Sequence, residues 1–246
     1  MAMKKRTKGN ITAPSLPGKD MLAEVNNNEA GNIYNSLFAK NRKVEYDNKD
    51  IALVNIRTNP DNQIFRAMDD DEDIRILAED IKRNGLMHNL VVFPEQEEGS
   101  TVYVLLSGER RFRALNYLQE KGDATWNIVN CNLVTTPLTE NEKKVLLYSA
   151  NLQVRGGFSD EAIRRQAIAE FITCLQREPY NMSREEALNA TKSVSTVNPR
   201  TIERDARIEE KLKGKLKTLL NDKFLTRSEC ETYLRFEADK QDEIAN

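Results

Sequence analysis

"LLSGERRFRALNYL", residues 105–118, sets an apolar run against three arginines crowded directly behind a glycine. The apolar residues read as the end of a strand, and Ser107-Gly108 breaks it. Glu109 to about Lys121 then has the spacing of a helix, closed by Gly122. Arg110, Arg111 and Arg113 therefore fall in a first helical turn, the end where the macrodipole is least favourable to cations. An anion is expected to offset them, and there are two candidates. One is a phosphate: N–H groups at a helix start point outward unpaired, Gly108 allows close approach, and forked guanidinium donors match phosphate oxygens. The other is the acidic run Asp69–Asp73, which would make the turn an ion-paired helix face.

The surrounding pattern is α+β. Ile74, Leu77, Ala78 and Ile81 recur at helical spacing and stop at Asn84-Gly85. "NLVVF" (89–93) and "TVYVLL" (101–106) read as strands joined by a polar turn around Glu97–Ser100, and Trp126–Val134 as a third strand. Thr139 and Glu142 have capping-box spacing for a helix running to Leu152. "RGGF" (155–158) interrupts it, and Ser159 is expected to cap a helix carrying Ile163, Ala167, Phe171 and Cys174 on its seam. After Pro179 the pattern is helical throughout, with capping boxes at Ser183/Glu186 and Thr226/Glu229.

With these elements in place, "SGERRFRAL" resembles the G-E-R-R-x-R-A box of the ParB family, the chromosome and plasmid partition proteins. "IRTNP…EDIRILAEDIKRNGLMHNLVVF" is similar to that family's opening, and "SANLQVRGGFSDEAIRRQA" to a degraded form of its E-N-L-Q-R segment. Together they cover about residues 51–175. The resemblance implies a ParB/sulfiredoxin-like domain with a small mixed sheet, which in ParB proteins binds CTP with Mg²⁺ and switches a DNA-loaded clamp. It assigns Ser107, Gly108, Glu109, Arg110, Arg111 and Arg113 to nucleotide phosphate, with Asn151 close to phosphate and metal. Ala150 stands where the family has a glutamate and Val154 where it has an arginine, with Arg155 one residue later as the substitute. "NPDNQIF" keeps Asn59-Pro60 but lacks Q-P-R. A missing carboxylate weakens metal binding and water activation, so anion binding is expected ahead of hydrolysis, and any CTPase activity is expected to be weak. Sulfiredoxin chemistry needs a cysteine where this chain has Glu109. Glu109 is the one candidate base for the kinase-like chemistry that the fold also hosts.

Downstream, Asn198-Pro199 opens a helix on which Arg200, Arg204, Arg207 and Lys211 form one stripe, opposite Ile202, Ala206, Ile208 and Leu212. Preceded by the short helix after Ser183, it has helix–turn–helix proportions. ParB proteins place a helical DNA-binding domain in this order, which makes Arg200, Thr201 and Arg204 candidate base contacts and Arg207 and Lys211 backbone contacts. The alternative is an amphipathic helix whose basic side is solvated and paired with Glu203 and Asp205.

The expected organisation is a flexible basic arm over 1–50, a ParB/sulfiredoxin-like domain over 51–178 and an all-α DNA-binding domain over 179–246. The arm rests on five lysines or arginines and no acid in residues 1–19. "GNIYNSLFAK" (31–40) reads as a short helix. A net charge of −2 confines any nucleic-acid surface to a local patch. No apolar run nears a membrane span or a secretion signal, so a cytoplasmic protein without a membrane partner is expected. Cys131, Cys174 and Cys230 lack pair spacing and read as buried or incidental thiols; the single His88 cannot anchor a His-rich metal site. DNA, a nucleotide and a second copy of the chain are the expected partners, with the family's dimerisation domain expected to be absent or reduced to 216–246. The expected role is plasmid or mobile-element partition, maintenance or regulation. A nucleotide-independent transcriptional or replication regulator is the rival.

Overall fold

The computed structural model describes residues 44–66, 70–154, 158 and 160–245. In chain order these form β1 (Tyr46–Ala52), β2 (Ile56–Arg57), α1 (Gln63–Arg66), α2 (Asp71–Asn84), β3 (Leu90–Glu97), β4 (Ser100–Ser107), α3 (Glu109–Glu120) and β5 (Ile128–Val134). They continue as α4 (Glu140–Val154), α5 (Glu161–Gln176), α6 (Arg184–Val194), α7 (Pro199–Lys211), α8 (Gly214–Asn221), α9 (Arg227–Tyr233) and α10 (Ala238–Ala245). The class is α+β, as the sequence implied.

The sheet has the order β1-β5-β3-β4-β2 and is mixed. β3 runs antiparallel to β4 and parallel to β5; β1 runs antiparallel to β5; β2 runs parallel to β4. Successive side chains of a strand face opposite sides, and β4 is buried on both. Tyr103 and Leu105 pack with Ile74, Ala78 and Ile81 of α2 and with Phe112 and Leu115 of α3. Val104 and Leu106 pack with Phe65 and with Leu146, Ile168 and Phe171 from α4 and α5. This is why "TVYVLL" reads as a continuous apolar run rather than an alternating one.

Several boundaries differ from expectation. The sheet begins at Tyr46, inside the segment assigned to the 1–50 arm. β1 is an edge strand, "YDNKDIA", whose exposed positions 47–50 carry no apolar signal. Its ladder with β5 runs from Tyr46 opposite Val134 to Ala52 opposite Ile128. The third expected strand starts at Ile128, because Ala124–Trp126 is a 3₁₀ turn capped by Asp123. The helix after "RGGF" is capped by Asp160, whose carboxylate accepts from Ala162 N and Ile163 N; Ser159, proposed for that role, lies outside the described residues. The 1–43 part of the arm and the helix over 31–40 also lie outside them.

The boundary drawn at 178/179 is not a gap in the core. One apolar cluster runs from Phe93 and Val104 of the sheet, through Phe171 and Leu175 of α5, to Ala187 and Val194 of α6 and Ile202 and Ala206 of α7. A second cluster joins Ile208 and Leu212 to Leu216, Leu220 and Cys230. The apolar face of α7 thus serves two cores. Cys131, Cys174 and Cys230 are buried free thiols, as expected, and burial pushes the first two up to about 11.

α7 is also fixed by charge. Asp205, fully buried, receives Nε of Arg164 at 2.7 Å, and Nη1 of Arg227 lies 3.6 Å from it. One turn further, Glu209 lies 3.4 Å from Nε of Arg165, itself 1% exposed, and 2.5 Å from Lys217. Arg165 also donates to Asn221 at 2.7 Å. Removing one partner of a buried ion pair strands the other charge. Asp205→Ala is therefore expected to lower unfolding stability by about 3–5 kcal/mol, read from the urea midpoint at unchanged slope.

Candidate functional site

The arginine turn sits where β4 ends. Gly108 has φ 103° and ψ 22°, the left-handed region, and caps α3 without a side-chain bond. An added Cβ there would lie 2.8 Å from Cδ2 of Leu90, so both the backbone angle and the space require glycine. Because β2 and β4 are parallel, with Ile56 opposite Tyr103 and Arg57 opposite Val104, the Asn59-Pro60 turn emerges at the same end as Ser107 and Gly108. The two segments linked by resemblance are brought together by sheet topology.

The Asn59 turn is tied down in turn to α4. Asn59 is buried and accepts from Asp61 N at 2.9 Å. Asp61 lies 3.1 Å from Nζ of Lys144, and Asn62 accepts from Nδ2 of Asn151 at 3.4 Å. Asn151 also donates to Leu147 O at 2.9 Å. Asn151 thus reaches the N-P turn, and its other candidate neighbour, Arg155, lies outside the described residues. Ala150 is half-buried, with no acid in its place. Among the described residues no group of three or more His, Cys, Asp or Glu is arranged to hold a metal ion.

Each of the three arginines contacts the protein itself. Arg113 donates to Oδ1 of Asp71 at 3.0 Å, and Arg110 lies 4.0 Å from Oδ2 of Asp73. Both acids are in the first turn of α2, where Asp70 caps the helix by accepting from Glu72 N; Asp69 lies outside the described residues. The two helix starts face each other, and the acids suit one macrodipole while offsetting the cations on the other. The ion-paired alternative raised by the sequence is therefore present. These pairs are exposed on the acid side, at 85% for Asp71 and 60% for Asp73, and such pairs are weak, about 0–1 kcal/mol.

Arg111 has a different role. Its Nη1 donates to the carbonyls of His88 and Asn89, at 2.5 and 2.9 Å, and so ties α3 to the chain entering β3. Burial pulls its pKa below the usual arginine value, although an arginine in a protein stays charged. Glu109 is buried, at 6% exposure, in the first turn of α3.

The second candidate surface is α7. Asn198 caps it by accepting from Arg200 N, and Pro199 opens it. Arg200 and Lys211 are exposed and Thr201 half-buried. Arg204 and Arg207 turn instead to α9: Arg204 Nη2 donates to Oε2 of Glu231 at 3.0 Å, and Arg207 Nη2 to its Oε1 at 2.7 Å. Glu203 pairs with Lys192 of α6 at 2.5 Å. Asp205, expected on the solvated side, is buried against α5. Sequence reasoning missed Arg164, Arg165 and Glu231. For the first two a signal existed: "IRRQAIAEFI" places a cation pair at the start of an otherwise apolar helix.

A family model, the ParB N-terminal domain, matches residues 37–135, a span that takes in all five strands, α1 to α3 and the arginine turn. No curated protein matches. Among solved structures, the C222₁ form of a pNOB8-like ParB-N domain is 13% identical, with a TM-score of 0.42, covering 82% of this chain and 97% of its own. A second pNOB8-like ParB N-domain is 11% identical, with a TM-score of 0.39, covering 85% and 93%.

Arg111 and Gly108 hold the turn itself. Arg111→Ala leaves two carbonyls without their charged donor and is expected to cost about 1–3 kcal/mol. Gly108→Ala is expected to cost a similar amount, about 1–3 kcal/mol, from backbone strain. Denaturant melts of both variants check this.

Proposed function

We propose, from the match of residues 37–135 to the ParB N-terminal domain, that this chain is a ParB-like DNA-binding protein of plasmid or mobile-element partition, maintenance or regulation. In this proposal the arginine turn takes the phosphates of a nucleotide, and α6 and α7 engage DNA. The observation that carries it is the family match over a strand–glycine–helix junction whose glycine has positive φ.

For the nucleotide, the features of the turn that fit a phosphate chain are the outward N–H groups at the start of α3, the close approach that Gly108 permits, and Arg110 and Arg113. Both arginines must exchange Asp73 and Asp71 for phosphate oxygens. Such an exchange is feasible because solvent-exposed pairs hold weakly. CTP is the nucleotide proposed, on the family's habit. The donor set does not fit a protein-held Mg²⁺: Ala150 supplies no oxygen where the carboxylate is expected. We derive no step through a metal, and brisk hydrolysis is no part of the proposal.

For DNA, α7 begins with a capped first turn that presents Arg200, the position from which a recognition helix reaches base edges. Lys211, one face and three turns along, suits a backbone phosphate. α6 packs behind α7 through Ala187 and Val194 in the core that holds Ile202 and Ala206.

CTP is expected to raise the melting temperature of the wild type, and Arg110→Ala with Arg113→Ala to abolish that rise while Arg111 keeps the turn folded. A double variant that still responds to CTP as the wild type does removes the phosphate assignment.

In gel shifts with DNA from the element that encodes the protein, affinity is expected to fall steeply with salt. Lys211→Ala should weaken binding to all sequences alike and flatten the log–log salt slope by about one unit. Arg200→Ala should cost about 1–3 kcal/mol at a specific site and less elsewhere. A chain that ignores DNA at low salt would leave the regulator and partition readings without support and favour an enzyme on this fold.

A further inference from the structure

Between α6, α7 and α9 lies a cleft of about 510 Å³, lined by four arginines, Arg184, Arg200, Arg204 and Arg207, and by two glutamates, Glu203 and Glu231. Most of these groups are paired on the rim. Arg184 donates to Glu210 at 2.9 Å through Nε, and Glu203 pairs with Lys192. Glu231 differs, because it reaches from α9 into the middle of the stripe and engages two of its members at once. Arg204 Nη2 donates to Oε2 at 3.0 Å and to Ser228 Oγ at 3.2 Å, and its Nε lies 3.0 Å from Oε1 without a hydrogen bond; Arg207 Nη2 donates to Oε1 at 2.7 Å. One anion gathers two guanidinium groups, the same donors that pair with phosphate oxygens.

We infer that Glu231 is a built-in phosphate mimic that holds down non-specific DNA binding by withholding Arg204 and Arg207 from backbone phosphates. This rests on the proposed use of α7 for DNA. Arg200 and Lys211, at the two ends of the stripe, are not engaged by Glu231. Non-specific binding is almost wholly a matter of phosphate contacts, so withholding two of them lowers the chain's hold on random sequence.

Glu231 is also dispensable for docking α9. That helix is held by buried Cys230, by Arg227 against Asp205 and against Glu161 at 2.9 Å, and by its own capping box at Thr226 and Glu229. A neutral side chain at 231 therefore frees the arginines without undocking the helix.

The test is fluorescence anisotropy of the full chain with a random-sequence duplex across a salt series, comparing wild type with Glu231→Gln. Glu231→Gln is expected to bind about tenfold tighter, with a log–log salt slope steeper by about two units as two cations become available. Adding Arg204→Ala and Arg207→Ala should remove the gain. Equal or weaker binding by Glu231→Gln at unchanged melting temperature overturns the inference, as does a gain that survives loss of both arginines. If the inference is right, the Nε–H resonances of Arg204 and Arg207 stay put in the wild type on addition of the random-sequence duplex and shift in Glu231→Gln. Wild-type resonances that shift as far as those of Glu231→Gln overturn it. Failure of both proteins to bind at low salt overturns the DNA reading itself, and this inference with it; binding by Glu231→Gln alone supports both.

Discussion

The carboxylate of Asp205 has no exposure and is held by Arg164 from α5 and approached by Arg227 from α9. A buried charge tolerates little movement of its partners, because each displacement exposes an uncompensated ion in a low-dielectric setting. The orientation of α7 is therefore set from two sides at once. Hydrophobic contacts through Ile202, Ala206, Ile208 and Leu212 bring α7 against its neighbours. The ion pairs at Asp205 and Glu209 then fix its rotation about its own axis, and so fix which way Arg200 and Lys211 face.

Counter-ions shape the other end of the molecule in a looser way. The cations of α3 meet acids of α2 that are exposed to solvent, whereas Arg111 donates to backbone carbonyls. Two kinds of partner thus hold arginines in one turn: exposed carboxylates for Arg110 and Arg113, and backbone carbonyls for Arg111. The same division holds on α7, where the pairs with Glu231 are half-exposed while Asp205 is sealed.

Much of the fold was legible because its signals are local. The α2 seam, the β3 and β4 runs, the α3 start and the capping boxes at Thr139, Ser183 and Thr226 are each written within a few residues. β1 was not legible: an edge strand with Asp47, Asn48, Lys49 and Asp50 exposed carries no hydrophobic alternation, and only its ladder with β5 identifies it. The pairing of the arginines with Asp71 and Asp73 was open in the sequence as one of two readings, since spacing within each helix does not say which helices meet. Asp205 and Glu231 were illegible for a related reason. Both are acids on amphipathic helices, and which one is buried depends on where α5 and α9 lie.

The shared cores of α7 also say where this chain can be divided. A cut at 178, where the composition changes, separates α7 from Arg164 and Arg165 and leaves Asp205 with Arg227 and Glu209 with Lys217 alone. A cut before Asp160 keeps α5 with the helices it neutralises, but takes Ile168 and Phe171 from the sheet. Neither half is a self-sufficient cassette. The sheet and its helical partner share one core, so a change in the packing of α5 is felt at both candidate surfaces.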